Sequence, residues 1–365
     1  MRIFYTITKS EIGGAQTYLW HLLKRAKENS DEAVVMSYPG GWLEGKVKEL
    51  GFKFIPNIYY KNSFSPLNLF KAIFETRKSI KEFQPDVLHL NSGGAGFFGR
   101  IANIGIKNKV VFTAHGWSFT DGTPVFRRII ALIGENIITP FTDRIICVSK
   151  NDEKLARNKL IFSKKKIEII HNGVEIKEQT VSHQIDEKIK ILFIGRLERP
   201  KMPIVILISL MRLTDKERNK FSVSIVGFGS QEKLLSDFII KNNLESFVIV
   251  KKVSFEKIYE ECLNSNLFIL PSEWEGFPMT ILEAMSAGLP VLASDVGGIG
   301  EVLDDSVGKL LLKGNEEIEI AETLRYVLKD NNWLSLRGQN ARKRILENFS
   351  EEEMCNKVWK IYEQA

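Results

Sequence analysis

Short β-branched and aromatic runs alternate with stretches whose apolar positions recur every three or four residues, from the first residue to about residue 312. That alternation is the mark of repeated strand and helix units, which assemble into a parallel sheet with helices on both faces. The pattern predicts strands at Arg2–Ile7, Ala33–Ser37, Lys53–Ile58, Asp86–Asn91, Lys109–Ala114, Arg144–Val148 and Glu168–His171. After Lys177 it lapses into EQTVSHQIDE, polar and weakly periodic, which places an interdomain linker there, with His183 inside it. A second series follows at Ile189–Ile194, Ser222–Val226, Phe247–Val250, Leu267–Leu270, Pro290–Ala293 and Lys309–Leu312. Beyond residue 315 the periodicity is wholly helical, and the last helix opens with Ser350 followed by Glu353, a capping box. The expectation is an α/β chain of two Rossmann-like, doubly wound parallel-sheet domains, residues 1–178 and 188–348. A C-terminal helix over 349–365 would cross back to the first of them.

A length of 365 residues suits two such domains and makes a cleft between them the natural place for a ligand. The cysteines, Cys147, Cys262 and Cys355, are far apart and none forms a Cys-x-x-Cys pair, which argues against a zinc knuckle or a disulfide framework and for a reducing compartment. The opening MRIFYTITKSEIGG runs straight into a strand without a basic-then-apolar leader, and no stretch has the ~18 uninterrupted apolar residues of a membrane span. A cytoplasmic location is expected. The first half carries roughly ten more Lys and Arg than Asp and Glu, while the second is mildly acidic. One half therefore suits an anionic neighbour. The basic residues are dispersed and no nucleic-acid motif is present, so nucleic acid is not expected; an anionic membrane face and a merely solvated basic surface both remain open.

In doubly wound sheets ligands sit beyond the carboxyl ends of the strands, so chemistry is sought just after each run. The first strand is followed by Gly13 and Gly14 at a helix start, where paired glycines either let N–H groups approach an anion or simply make a tight turn. His115 ends the strand Lys109–Ala114, placed to donate to a hydroxyl or phosphate, to move a proton, or only to close its loop. By contrast His21 falls in an amphipathic helix, His89 within a strand and His171 before Asn172 and Gly173; none forms a metal-spaced set. Arg196 and Lys201 share the first loop of the second domain, a fork and a point charge that together suit a diphosphate without a metal. The turn VGFGSQE holds Gly227 and Gly229 but fails the dinucleotide fingerprint twice: Glu232 stands where the third glycine belongs, and the next strand ends in Lys251 and Lys252, not an acid. Finally, the loop Pro271–Pro278 contains Glu275 and leads into a helix carrying Glu283 in an apolar stretch where an unpaired charge is costly. Carboxylates at these two points suit vicinal hydroxyls, and the N–H groups of Phe277 to Ile281 suit a phosphate.

That segment, EGFPMTILEAMSAGLPV, closely resembles the signature of glycosyltransferase family 4, retaining enzymes of the GT-B fold. The motifs EIGGAQ, TAHG, IICVSKND, IHNGVE, GRLERPK and VGFGSQEKL follow in the family's order, so the resemblance spans essentially the whole chain. It implies a nucleoside-diphosphate-sugar donor, with uridine the expected base, held mostly by the C-terminal domain. By the same resemblance Arg196 and Lys201 hold the diphosphate, Glu283 the ribose and Glu275 the transferred sugar, while Gly276, Phe277, Pro278, Met279 and Thr280 line sugar and phosphate through their backbone. Gly13, Gly14 and Gly227 complete the donor-binding set. Catalysis would fall to His115, Glu275, Arg196 and Lys201. The chain departs from the family where a glycine usually follows the lysine; here Met202 and Pro203 stand instead.

No Asp-x-Asp is present, and the resemblance implies transfer without metal or cofactor, retention of configuration, and a same-face substitution rather than a covalent intermediate on Glu275. Relatives with a basic first domain imply a lipid-linked or saccharide acceptor, cell-surface polysaccharide synthesis and peripheral contact with the inner face of the cytoplasmic membrane. The stretch VFRRIIALIGENIITPF, with Arg127 and Arg128, suits such a surface or a buried helix. A nucleotide-sugar epimerase of the same fold and a non-catalytic nucleotide-sugar binder are the rival readings.

Overall fold

The computed structural model describes the chain except residues 62–64, 121–122, 162–165, 183, 186, 331 and 365, so His183 lies outside the described residues. Thirteen strands form two wholly parallel sheets among the described residues. The first has the order β3-β2-β1-β4-β5-β6-β7, built from β1 (Arg2–Ile7), β2 (Glu32–Ser37), β3 (Lys53–Pro56), β4 (Val87–Asn91), β5 (Lys109–Ala114), β6 (Arg144–Cys147) and β7 (Ile167–Ile169). The second has the order β10-β9-β8-β11-β12-β13, built from β8 (Ile189–Ile194), β9 (Phe221–Val226), β10 (Val248–Lys251), β11 (Leu267–Leu270), β12 (Val291–Ser294) and β13 (Gly308–Leu311). Both sheets are doubly wound, as expected.

The strands are legible because parallel sheets are covered on both faces: every residue of β4, β5, β11 and β12 is buried. Along β1 the side chains alternate between two cores, Ile3, Tyr5 and Ile7 on one side and Phe4 on the other. β3 stops at Pro56, short of the expected Ile58. Proline brings no N–H to the ladder, and the Asn57 side chain accepts from Tyr59 N–H to start a 3₁₀ turn at Ile58–Tyr60.

The chain divides into two compact units, Met1–Asn172 together with Glu351–Ala365, and Gly173–Ser350. The terminal helix Glu351–Glu363 places Val358, Trp359, Ile361 and Tyr362 in the core beside β1. It is fixed there by Trp359 Nε1 donating to Asp31 at 3.0 Å and by Lys24 reaching Glu351 at 2.9 Å. His21, buried, sets Nδ1 2.8 Å from the same Glu351 carboxylate. The segment just after Asn172 is tied to the second unit: Val174 N–H bonds the Phe349 carbonyl, and Val181 N–H the Ala287 carbonyl.

Candidate active site

In the second unit β8 and β11 are neighbours although β9 and β10 come between them in the chain, and the connections leave them in opposite directions. Such a switch point opens a crevice at the strand ends. The loops that leave it, 195–203 and 271–278, are zipped together: Met202 N–H bonds the Pro271 carbonyl and Glu273 N–H the Pro200 carbonyl, each at 2.9 Å, while Arg199 bridges to Glu273. This register brings the Lys201 ammonium onto Glu275 Oε1, with both side chains largely out of solvent.

Two glycines let the surrounding loops close on this pair. A Cβ on Gly227 would stand 1.9 Å from the Gly195 carbonyl oxygen, so the turn after β9 serves to pack the loop that carries Arg196. A Cβ on Gly297, after β12, would stand 1.8 Å from the carbonyl oxygen of Glu275 itself, and its φ of +61° is a left-handed conformation. Gly297 escaped the sequence reading; its only signal was a second Gly-Gly pair at a strand end.

The remaining expected residues are not all gathered here. Arg196 is exposed and pairs with Glu198 at 2.6 Å. Glu283, in the helix Met279–Ser286, is partly buried, and no hydrogen bond or ion pair to its carboxylate is made among the described residues. Burial pushes it up to about 7, against the opposing pull of Lys177. That helix starts at Met279, with Pro278 at the N-cap position and no side-chain cap, and among the described residues the Thr280 hydroxyl is buried without a partner. Its first N–H groups therefore face the strand ends with the positive end of the helix dipole.

The carboxyl ends of the first unit's own strands are furnished differently. Gly13 precedes the helix Gly14–Glu28, which has no side-chain cap; its first internal bond runs from Thr17 N–H to the Gly13 carbonyl at 2.9 Å. His115 packs edge-on to Tyr18 at 4.8 Å between centroids and sets Nε2 3.4 Å from Asn91 Oδ1. Burial lowers it to about 3, so the ring is neutral. His89 is a structural group: it bridges Tyr362 Oη at 2.5 Å and Thr113 Oγ1 at 2.7 Å, and burial holds it, too, near 3.

Two doubly wound sheets with a cation–carboxylate pair and a free helix N-terminus at one switch point define a two-domain α/β enzyme of GT-B type. Family models match in tandem: Glycosyltransferase Family 4 over residues 12–178 and Glycosyl transferases group 1 over residues 175–344. The O-antigen biosynthesis glycosyltransferase WbnH of Escherichia coli is 32% identical over 348 residues, covering 95% of this chain and 96% of that protein. The chain belongs to glycosyltransferase family 4. The UDP-Gal:alpha-D-GlcNAc-diphosphoundecaprenol alpha-1,3-galactosyltransferase of E. coli is 27% identical, covering 85% of this chain and 82% of that one. The crystal structure of Anabaena HepE in complex with UDP and glucose shares the fold, with a TM-score of 0.85 at 18% identity over the whole of both chains.

Proposed function

We propose that this glycosyltransferase moves a hexosyl or N-acetylhexosaminyl group from a UDP-sugar to a lipid-linked or oligosaccharide acceptor during assembly of a bacterial surface polysaccharide, with retention of configuration and without a metal. The observation that carries this reading is the Lys201–Glu275 pair at the β8/β11 switch point, beside the helix that bears Glu283. The ammonium offers the diphosphate a fixed positive charge as the sugar–phosphate bond breaks. Arg196, released from Glu198, adds a planar fork. Glu283 accepts the ribose hydroxyls, and Glu275 holds the transferred sugar, with Gly276 to Thr280 lining it by backbone.

The C1–O bond to phosphate breaks on the face where the acceptor oxygen bonds, and the acceptor's proton passes to the leaving phosphate. Glu275 shares its charge with Lys201, which suits a hydroxyl-binding group better than a nucleophile on carbon. Gly13, Gly14 and His115 serve the reaction from the first unit, the neutral imidazole hydrogen-bonding the sugar or acceptor. The UDP and glucose named for HepE support a uridine donor, and the diphosphoundecaprenol of the galactosyltransferase supports a lipid-borne acceptor at the inner face of the cytoplasmic membrane. No helix among the described residues is long and apolar enough to cross a membrane, so contact with it would be peripheral.

A thermal-shift screen of nucleoside diphosphates and their sugars tests the donor, since a ligand of the native state alone raises the melting temperature. UDP and one UDP-sugar should stand out, and UDP release should need a lipid or saccharide acceptor. Conversion of the UDP-sugar with no acceptor present would instead establish the epimerase, and binding without turnover the non-catalytic binder.

A further inference from the structure

An open pocket of about 330 Å³ lies on the second unit, lined among others by Asp305, Lys309, Glu322, Tyr326, Trp333 and Arg337. The second sheet is wholly parallel and β13 enters it at Gly308, next to Lys309, so the pocket sits at the amino edge of the sheet. Lys201 and Glu275 meet beyond the opposite, carboxyl edge. The helix Glu316–Val327 runs back from the carboxyl edge and brings Glu322 and Tyr326, four residues apart and so on one face, to the pocket in its second half. The helix Asn332–Asn348 supplies Trp333 and Arg337 at the same spacing. Asp305 is set in a loop that the same helix grips: Asn340 donates to the Ser306 carbonyl at 2.9 Å, and Arg344 reaches Asp304 at 2.8 Å. The walls are therefore held by regular structure within one unit.

Four charged side chains line this pocket, Asp305, Lys309, Glu322 and Arg337, and among the described residues none of them makes an ion pair or a side-chain hydrogen bond. Close by on the same unit the charges do pair, Arg212 with Glu317, Arg325 with Glu217 and Arg344 with Asp304. The Arg337 guanidinium lies over the Trp333 ring at 4.5 Å, and its Nε is out of solvent with no acceptor. A buried donor left unmade is costly, so a ligand that supplies the acceptor gains most at that point. Tyr326 is 52% exposed and its hydroxyl is taken by Asp330 at 3.3 Å, so what it offers a ligand is the ring.

The make-up of the wall selects the ligand. Its two cations and two carboxylates cancel, so an oxyanion would be repelled by Asp305 and Glu322, and a metal ion by Lys309 and Arg337. An uncharged polyol meets neither penalty. Its hydroxyls donate to carboxylates and accept from ammonium and guanidinium, while its apolar C–H face covers an aromatic ring. The volume suits about one or two sugar rings. We propose that this pocket binds a neutral saccharide, at a site separate from the donor crevice. That its occupant is a stretch of the enzyme's own acceptor or product rests on the sugar-transfer reading; the binding does not.

Saturation-transfer NMR on the full chain tests it, with galactose, N-acetylglucosamine, N-acetylgalactosamine and lactose as probes, each in the presence of excess UDP. The native chain should bind at least one of these sugars. Arg337→Gln and, separately, Tyr326→Ala should each weaken that binding about tenfold, the worth of one hydrogen bond to a charged group or of a comparable ring contact, while leaving the melting shift with UDP unchanged. No binding of any of the sugars by the native chain, or undiminished binding by both variants, would overturn the proposal. So would tighter binding of glucuronate or of calcium ions that the same variants abolish, because the pocket would then select charge. With a saccharide acceptor, both variants should raise its KM severalfold at unchanged kcat; an unchanged KM would remove the acceptor from the pocket. Sugar binding without any melting shift from a nucleotide would sink the sugar-transfer reading and leave the pocket standing.

Discussion

At the switch point of the second sheet, the loops after β8 and β11 carry an ion pair, Lys201 with Glu275, and a further carboxylate on the helix that follows. In the first sheet, where the corresponding switch point lies between β1 and β4, the ends of β4 and its neighbour β5 carry Asn91 and His115, neutral groups 3.4 Å apart with Tyr18 against the ring. Under the function proposed above, one strand order would serve two chemistries. A departing diphosphate gains charge and calls for a cation already in place, the role proposed for Lys201, whose charge Glu275 compensates while partly buried. A hydroxyl to be positioned calls for hydrogen bonds without a competing charge, the role proposed for His115, which burial keeps neutral.

The sharpest way to break that contrast is to remove the cation. Lys201→Ala should lower kcat about 10²- to 10³-fold, as loss of a preorganised group facing developing charge does elsewhere. It also leaves Glu275 unpaired, so the melting temperature should fall. In the double variant Lys201→Ala with Glu275→Ala the melting temperature should fall by less than the sum of the single changes, since no lone charge remains. Steady-state kinetics with the UDP-sugar and thermal melts measure both, and wild-type turnover in Lys201→Ala would remove the pair from the mechanism.

Next in size is the support behind the pair. Gly297→Ala drives a methyl into the Glu275 carbonyl and should cost about tenfold to a hundredfold in kcat/KM, the scale of a misplacement of about 1 Å at a reacting centre. Gly314→Ala is the control. Its φ of +86° is equally left-handed, but nothing stands within 4 Å of the added Cβ, so it should cost about 1 kcal/mol of stability and leave turnover intact. Equal activity losses in the two variants would mean that backbone strain alone, and not displacement of Glu275, is what matters.

These predictions also mark where sequence reading stops. The inner strands were legible because burial on both faces writes an apolar run for each, while the partly exposed edge strands β3, β7 and β10 were read from their β-branched and aromatic residues; the strand-end loops followed from the parallel arrangement. Which side chains meet was not legible. Lys201 and Glu275 are 74 residues apart and come together only through the backbone zipper between their loops, while Arg196 finds Glu198 two residues away. Gly297 could not be told from Gly298, because the reason for it is a carbonyl on another loop. In VFRRIIALIGENII apolar residues nearly encircle the helix, so periodicity could not say which side faces the protein; the Arg100–Glu135 pair does.

Glu283 sharpens the comparison at intermediate size, as a partly buried carboxylate of the second unit that has no hydrogen bond or ion pair among the described residues. Its native pKa of about 7 lies above the roughly 4.3 of an unfolded chain. Between those values the native state holds a proton that the unfolded state lacks, so stability falls as pH rises through the window and stays low above 7. Glu283→Gln should therefore raise the melting temperature by a few degrees at pH 8, with the gain vanishing below about pH 4.5. The same change should raise the KM for the UDP-sugar about tenfold, because a carboxylate that accepts two hydroxyl bonds is replaced by a single acceptor. A melting gain without a change in KM would make Glu283 a burial defect with no part in donor binding.

The smallest effect belongs to the neutral pair of the first unit, His115 with Asn91. With its native pKa near 3, the His115 ring does not titrate between pH 5 and 8, whereas a solvated imidazole would change charge close to pH 6.5. His115→Asn keeps a hydrogen-bonding group near Asn91 and should lower kcat/KM severalfold, the worth of one neutral hydrogen bond, by the same factor at every pH in that range. A profile that bends near pH 6.5 in the native enzyme and straightens in His115→Asn would show that the ring gains and loses a proton during turnover. The first unit would then be doing acid–base chemistry, and the division between a charged donor side and a neutral acceptor side would fail. Acid instability supplies an independent check. Between about pH 3 and 6.5 the unfolded chain binds protons at His89 and His115 that the native core refuses, so stability should fall as pH drops through that window. The loss should be smaller in His115→Asn, which keeps only His89 of these two rings.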